Sequence, residues 1–416
     1  MVRRLGLVAA GLVLAGCLDD QALNPPPVPA GGELFSRYVA FGNSITAGYQ
    51  AGGLDSTLQA ASYAVLMAEQ MGTTFYVPWM RVPGCPPPIT NIFTLTRVNG
   101  LTGGDCALRT DHVPPWLNLV AVPGASVIDV LTNYDATSDP NTLTTFLLGG
   151  LSQLGAARRA QPTFISVWIG NNDVLGALIN SVNPGDSTLV TPPATFATTY
   201  ARLMDSLNAI GTIQGGVLLG VVRVTSAPYL TQGSIWEQFE ADFDATTTVN
   251  VLDVVNCTAF QPLGGADTAW ASVPFPTGGA ALAMAQARLD SLAVGSLAPG
   301  DVQPAVIDCS ADHGVSVPEM VFFRSAVTQY NAAIAAEAAA RDWLYFDPNV
   351  PLAQLLADPT AIRPFPTFTD QANAHPFGTA LSADGLHPSS ATHRLLATLL
   401  IPAINAAFGT AIPGLD

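Results

Sequence analysis

Three short apolar runs, each cut off by a small polar turn, constrain this chain more than any other feature. Tyr38, Val39, Ala40 and Phe41 stop at Gly42-Asn43-Ser44. Leu117, Leu119, Val120 and Val122, within Trp116 to Val122, stop at Pro123-Gly124-Ala125-Ser126. Thr163 to Ile169 stops at Gly170-Asn171-Asn172-Asp173. Runs of this kind, bounded by turn residues, predict buried strands. Thr57 to Met71 carries apolar residues at near-helical spacing, and Leu143 to Ala160 reads as another helix. Ala194 to Ile213 predicts a helix and Gly216 to Val224 a fourth strand. Val317 to Arg341 predicts a long helix, Trp343 to Phe346 a short fifth strand, and Ser390 to Phe408 the last helix. Strands alternating with helices imply a parallel sheet covered on both faces.

Two segments fall outside that alternation. Residues 78–116 are rich in Pro, Gly and Thr and read as an irregular loop insertion. Residues 230–316 show little periodicity and read as an insertion or lid near the site, or a separate small domain. Each carries two cysteines, Cys85 and Cys106 in the first, Cys257 and Cys309 in the second. Four cysteines allow three pairings. Cys85–Cys106 with Cys257–Cys309 is favoured because each pair lies within one loop-rich region. No C-x-x-C occurs, so the sequence offers no zinc or redox motif.

The N-terminus suggests export. Met1 to Arg4 is a short positive stretch, followed by 12 apolar residues from Leu5 to Gly16. That is shorter than the roughly 20 residues a bilayer requires, but suits a signal peptide. Leu14-Ala15-Gly16-Cys17 resembles the lipobox of bacterial lipoproteins. The resemblance implies cleavage after residue 16 and a lipidated Cys17, anchored in the bacterial envelope at the outer membrane, on its periplasmic or surface side. An ordinary secretory signal is the plainer alternative. Residues 17–33 include Asn24-Pro25-Pro26-Pro27 and read as a Pro-rich tether, with the folded domain from residue 34 to 416.

With 15 basic against 31 acidic residues, a net charge of -16 and no basic cluster, the chain suits neither nucleic acid nor an anionic membrane surface. At 49% hydrophobic and 11% charged it has ample material for a large core.

The strand ends carry the chemistry. Parallel strands bring their carboxyl ends to one edge of the sheet. If the order is 2-1-3-4-5, the three polar turns meet there. Ser44 offers a hydroxyl, Gly124 an unshielded N–H, and Asn172 a side-chain amide. A hydroxyl beside preorganised donors is what attack on an acyl carbonyl requires, since the carbonyl oxygen becomes negative. Asp384 and His387 sit three apart, with Gly385 permitting a tight bend and Pro388 fixing the exit. That spacing lets Asp384 orient one ring nitrogen of His387 while the other faces Ser44. Each group alone has a blander reading: Gly124 as a turn glycine, Asn172 as a helix cap, Asp173 as a first-turn acid. His112, His313, His375 and His393 have no comparable setting. His393 is expected to face solvent on the last helix, and His375 to sit in a loop.

Taken together these blocks resemble the SGNH hydrolases, the GDSL-type esterase/lipase superfamily. Gly42-Asn43-Ser44-Ile45 resembles the first block, Asn118 to Ala125 the second, Gly170-Asn171-Asn172-Asp173 the third and Asp384 to Ser389 the last. The blocks run in family order. The resemblance implies an α/β fold of three layers, α/β/α, with a flavodoxin-like five-stranded parallel sheet in the order 2-1-3-4-5. It implies Ser44 as nucleophile, His387 as base and then acid, and Asp384 as its orienting carboxylate. Ser44 N–H, Gly124 N–H and the Asn172 amide would form the oxyanion hole. No metal or cofactor is implied, and the partner is a small-molecule ester. Asn43 stands where the family usually has Asp, and Ile45 where it usually has Leu. The expected activity is hydrolysis of lipidic or short acyl esters. Carbohydrate O-acetyl ester hydrolysis and a non-catalytic surface binding lipoprotein that kept the fold are the alternatives.

Overall fold

The computed structural model describes residues 30, 32–110, 114–132, 142–264, 267–310, 312–366 and 375–415. Cys17, the tether up to residue 29 and His112 lie outside them.

Four strands form the central sheet: β1 (Tyr38–Gly42), β2 (Phe164–Trp168), β3 (Gly215–Leu219) and β4 (Leu344–Phe346). They pair in parallel in the order β1-β2-β3-β4. Every residue of β1, β2 and β3 is buried, as expected of a sheet covered on both faces.

The expected five-stranded sheet is corrected to four strands and an edge segment. Residues 118–122 run beside β1 on its open side, where the second strand was expected, but form a single parallel bridge, Ala40 to Leu119. The Ala40 N–H donates to the Asn118 carbonyl at 2.9 Å, and the Val120 and Val122 N–H groups donate to the Ala40 and Gly42 carbonyls at 3.0 and 3.1 Å. The Asn118 amide also donates to the Tyr38 carbonyl at 2.8 Å. A side chain thus substitutes for part of the backbone ladder, and regular pairing does not propagate.

The helices before the second insertion are shorter than the periodicity suggests, because caps and glycines interrupt them. In chain order, α1 is Ser44–Ala47, α2 Ser56–Ala60 and α3 Tyr63–Met71. Ser62 separates α2 from α3: its hydroxyl accepts from the Ala64 N–H and donates to the Thr46 carbonyl at 2.8 Å. Next come α4 (Val127–Leu131), α5 (Thr142–Leu148) and α6 (Gln153–Ala160). Gly149 and Gly150, at φ 65° and 85°, break what reads as one helix into α5 and α6. Then follow α7 (Asn172–Leu178) and α8 (Pro193–Asn208).

Residues 230–316 contain more regular structure than their sequence suggests. They hold α9 (Gly233–Thr246), α10 (Phe275–Ala293) and a parallel pair, Leu252–Val255 with Ala305–Asp308. After them come α11 (Val317–Ala339), α12 (Asn349–Leu356) and α13 (Ser390–Phe408). One helical layer joins α3 to α13, and the other joins α4, α6, α8 and α11.

Two apolar clusters result. The larger surrounds the sheet, with Phe41, Phe164, Tyr200, Phe323 and Leu400 wholly buried. The smaller joins Trp236, Phe275, Cys257 and Cys309 of the second insertion to Ile92 of the first and to Phe377 and Leu381. Cys85–Cys106 and Cys257–Cys309 form disulfides, the favoured pairing.

Candidate active site

β1 delivers Ser44 to the carboxyl edge of the sheet. Before it, the buried Gln153 side chain holds both backbone groups of Gly42, accepting from the N–H at 3.1 Å and donating to the carbonyl at 2.8 Å. Asn43, fully buried, caps α1 by accepting from the Ile45 N–H at 3.2 Å. Ser44 is thereby the first residue of a short helix, only 6% exposed.

The loop from 382 to 389 brings the other two groups in. Gly385 at φ 68° makes the bend between Asp384 and His387. A side chain there would collide with the Phe377 ring, its Cβ only 2.7 Å from the nearest ring carbon. His387 Nε2 lies 2.9 Å from the Ser44 Oγ, and His387 Nδ1 lies 2.8 Å from an Asp384 carboxylate oxygen. Asp384 accepts further from the Leu386 and His387 N–H groups at 3.0 and 2.9 Å, the Ser382 hydroxyl at 3.0 Å and the Gly52 N–H at 2.8 Å. Burial pushes the Asp384 carboxyl up. The positive charge available on His387 and these hydrogen bonds outweigh it and hold the group well below the ordinary carboxylate range. Asp384 is thus an anion that accepts from Nδ1–H, which leaves Nε2 free to accept the Ser44 proton.

The groups expected to form the oxyanion hole meet only in part. Asn172 stands at the start of α7, and its amide donates to the Ala125 carbonyl at 2.8 Å, tying the third turn to the second. An amide nitrogen carries two hydrogens, so one remains for a substrate. Gly124 adopts φ 82° and is exposed. Among the described residues nothing accepts from the Ser44 or Gly124 N–H. Ser44, Asn172 and His387 line one cleft with apolar residues from seven stretches of the chain, and Gly124 lies off that lining.

Four supports escaped sequence reasoning. Gly52 and Ser382 brace Asp384, and Arg97 of the first insertion donates to the Gly52 carbonyl at 2.8 Å. The Tyr49 ring packs against His387 at 5.0 Å. Burial first, then the Asp384 charge, pushes the Tyr49 hydroxyl up to about 12, so it stays protonated. Gly52 and Asp384 are 332 residues apart, a separation no local pattern reveals.

His393, expected at the surface, is wholly buried. It shares a helical face with Leu396, Ala397 and Leu400, the face that packs on α3. Its Nδ1 accepts from the Tyr63 N–H at 3.4 Å. Burial, then the proximity of His387, pushes its pKa down to about 3, which keeps it neutral. His375 lies outside the regular elements, with Nδ1 3.2 Å from the Leu381 carbonyl. His313 is paired at 3.9 Å with Asp308 in the second insertion. Among the described residues no group of three or more His, Cys, Asp or Glu is placed to hold a metal ion.

No family model matches the chain, and no curated protein matches it. Solved structures do. An acetylxylan esterase from Geobacillus stearothermophilus is 13% identical, with 91% of this chain and 96% of that chain covered and a TM-score of 0.39. An α/β hydrolase enzyme from the metagenome of Lake Arreo is 13% identical, covering 90% and 95%, with a TM-score of 0.36. An extracellular lipase from Streptomyces rimosus is 16% identical, covering 89% and 98%, with a TM-score of 0.34.

Proposed function

We propose that this chain is a serine hydrolase of the SGNH type that cleaves carboxylic esters through an acyl-enzyme. The observation that carries the reading is the continuous hydrogen-bonded chain Ser44–His387–Asp384, at 2.9 and 2.8 Å. His387 Nε2 takes the Ser44 proton as Oγ attacks the ester carbonyl carbon. The oxygen that becomes negative is met by the Ser44 N–H and the Asn172 amide, while Gly124, off the cleft lining, is the expected third donor that this arrangement does not bring in. Collapse expels the alcohol, which takes the proton from His387 and leaves the acyl group on Ser44. A water, deprotonated by His387, then attacks the acyl carbon and releases the acid, restoring Ser44. Asp384 remains an anion throughout and holds the ring in one tautomer. Lipidic or short acyl esters and carbohydrate O-acetyl esters all fit this chemistry.

The test is steady-state hydrolysis of p-nitrophenyl esters by wild type and Ser44→Ala, with fluorophosphonate labelling read by mass spectrometry. The expected outcome is a fall in kcat of about 10⁶ and loss of a label located on Ser44. Undiminished turnover by Ser44→Ala overturns the mechanism. Label loss without turnover by wild type on any ester would favour a binding protein that kept the fold.

Export and anchoring through Cys17 belong to the same proposal. Wild type should partition into detergent-extracted membranes and Cys17→Ala should not. Equal partitioning of the two removes the lipid anchor.

A further inference from the structure

The cleft that begins at Ser44 has a direction, and its lining can be ordered along the sheet. Ser44 follows β1, Trp168 and Asn172 close β2, Val222 follows β3, and Leu352 and Leu355 belong to α12, which follows β4. The cleft therefore crosses the carboxyl edge from the first strand to the fourth. It encloses about 960 Å³ of empty space, open solvent at its mouth included. Leucine, proline, valine and alanine make up most of its wall, with no acidic side chain among the lining residues. Arg223 also lines the wall, and the buried Asn171 amide nitrogen has no hydrogen-bond partner among the described residues, but part of the wall's polar capacity is engaged. The Asn171 side-chain amide oxygen accepts from the Val222 N–H at 2.9 Å. The Thr392 hydroxyl donates to the Ala380 carbonyl at 2.7 Å. A sugar ring placed here would bury hydroxyls against hydrocarbon, at a cost a methylene chain does not meet.

We propose that the acyl half of the substrate is an unbranched aliphatic chain of medium length, lying along the carboxyl edge of the sheet from Ser44 to α12. This rests on Ser44 acting as the acyl-accepting nucleophile. Three strand spacings of roughly 4.8 Å give a path of about 14 Å, which an extended chain of about ten to twelve carbons fills. Leu352 and Leu355, half-buried on α12, set the far limit. The alcohol half leaves toward solvent and is not selected by this wall.

The experiment is a series of p-nitrophenyl esters from acetate to palmitate, with wild type, Leu355→Trp, Leu355→Ala and Ser44→Ala. The alcohol is constant, so kcat/KM reports the acyl group alone. For wild type it should rise up to about fourfold per methylene as the chain lengthens, then level or fall beyond about twelve carbons. Leu355→Trp should shift the optimum to shorter chains and cut the decanoate-to-butyrate ratio at least tenfold. Leu355→Ala should shift it to longer chains, and serves also if the tryptophan variant does not fold. A wild-type optimum at acetate overturns the acyl-chain proposal while leaving ester hydrolysis standing. An optimum unmoved in both Leu355 variants overturns the placement of the chain against α12. Activity retained by Ser44→Ala across the series overturns the hydrolase reading itself.

Discussion

Ser44 and His387 rest on different cores. Ser44 follows a strand wholly buried in the larger cluster, pinned by Gln153 and the α1 cap. Asp384 and His387 ride on a loop whose underside is Phe377, a member of the smaller cluster. Phe377 meets Phe275, the first residue of α10, edge to face at 5.6 Å. The Phe275 N–H donates to the Tyr229 carbonyl at 2.7 Å, and the Tyr229 N–H donates to the Gly385 carbonyl at 3.2 Å. The second insertion is therefore not only an addition beside the site. It forms the floor of the loop that carries Asp384 and His387. The sheet holds the proposed nucleophile, and the insertion supports its proposed base.

The largest expected effect comes from cutting each core once. Phe275→Ala removes a ring that is 2% exposed, and Phe164→Ala removes a fully buried ring that meets Phe35 at 4.8 Å. Both should cost about 3–5 kcal/mol of stability. Their effects on activity should differ. Well below the melting transition, Phe275→Ala should lower kcat by loosening the Asp384–His387 loop, while Phe164→Ala should leave kcat near wild type. Equal kcat losses in the two variants, measured beside thermal melts, would erase the distinction between the cores.

Much of this was legible in the chain, and the reason is local. A polar turn after an apolar run marks a strand end wherever it occurs, so the Ser44, Gly124 and Asn172 turns and the Asp384–His387 spacing stand out. The parallel order follows from alternation. The supports did not stand out because they are pairings across distance. Gln153 reaches Gly42 over 111 residues, and Ser382 reaches Ala51 over 331. His393 was misplaced because a polar residue on a largely apolar helix reads as surface, whereas here its ring stacks on Tyr63 with 7° between the planes. The second core was hidden because its aromatic residues, among them Ile92's neighbour Phe93, Phe275, Phe365 and Phe377, come from three separate stretches of sequence.

A smaller effect separates charge from packing on the sheet side. The Asp173 carboxylate accepts from the Val127 N–H at 2.9 Å, joining α7 to the start of α4 just past the Gly124 turn. Burial above all, with the Asp129 charge adding, pushes its pKa up to about 7 against the Val127 hydrogen bond. The sign follows from linkage. The folded state holds the proton more tightly than the unfolded one, so the stability is fully present below about pH 4 and is lost as pH rises to about 7, by up to roughly 4 kcal/mol. Asp173→Asn keeps an acceptor for Val127 and cannot titrate. Its melting temperature should therefore change less than that of wild type between pH 4 and pH 7. Parallel melting curves for the two across that range would show that Asp173 does not titrate there.

The smallest effect concerns Asn43, the buried cap beside Ser44. Its carbonyl oxygen caps α1, and its amide nitrogen is buried without a hydrogen-bond partner among the described residues. An aspartate would keep the cap and gain from the positive end of the short helix, worth about 0.3–1 kcal/mol where exposed. It would also bury a carboxylate, which opposes that gain. At a fully buried position the second effect is the larger once the carboxyl ionises, so Asn43→Asp should melt below wild type and increasingly so as pH rises, whereas Asn43→Ala should lose about 1 kcal/mol with the cap at every pH. Turnover should fall too. A negative charge next to Ser44 opposes the negative charge that develops in the oxyanion hole, so Asn43→Asp should lower kcat by about tenfold or less, the rate equivalent of about 1.4 kcal/mol. The loss should deepen as pH rises and the new carboxyl ionises. A kcat equal to wild type at every pH, with the melting temperature unchanged, would mean that the neutral side chain at position 43 has no electrostatic part in the reaction and serves the sheet side of the site only as a cap.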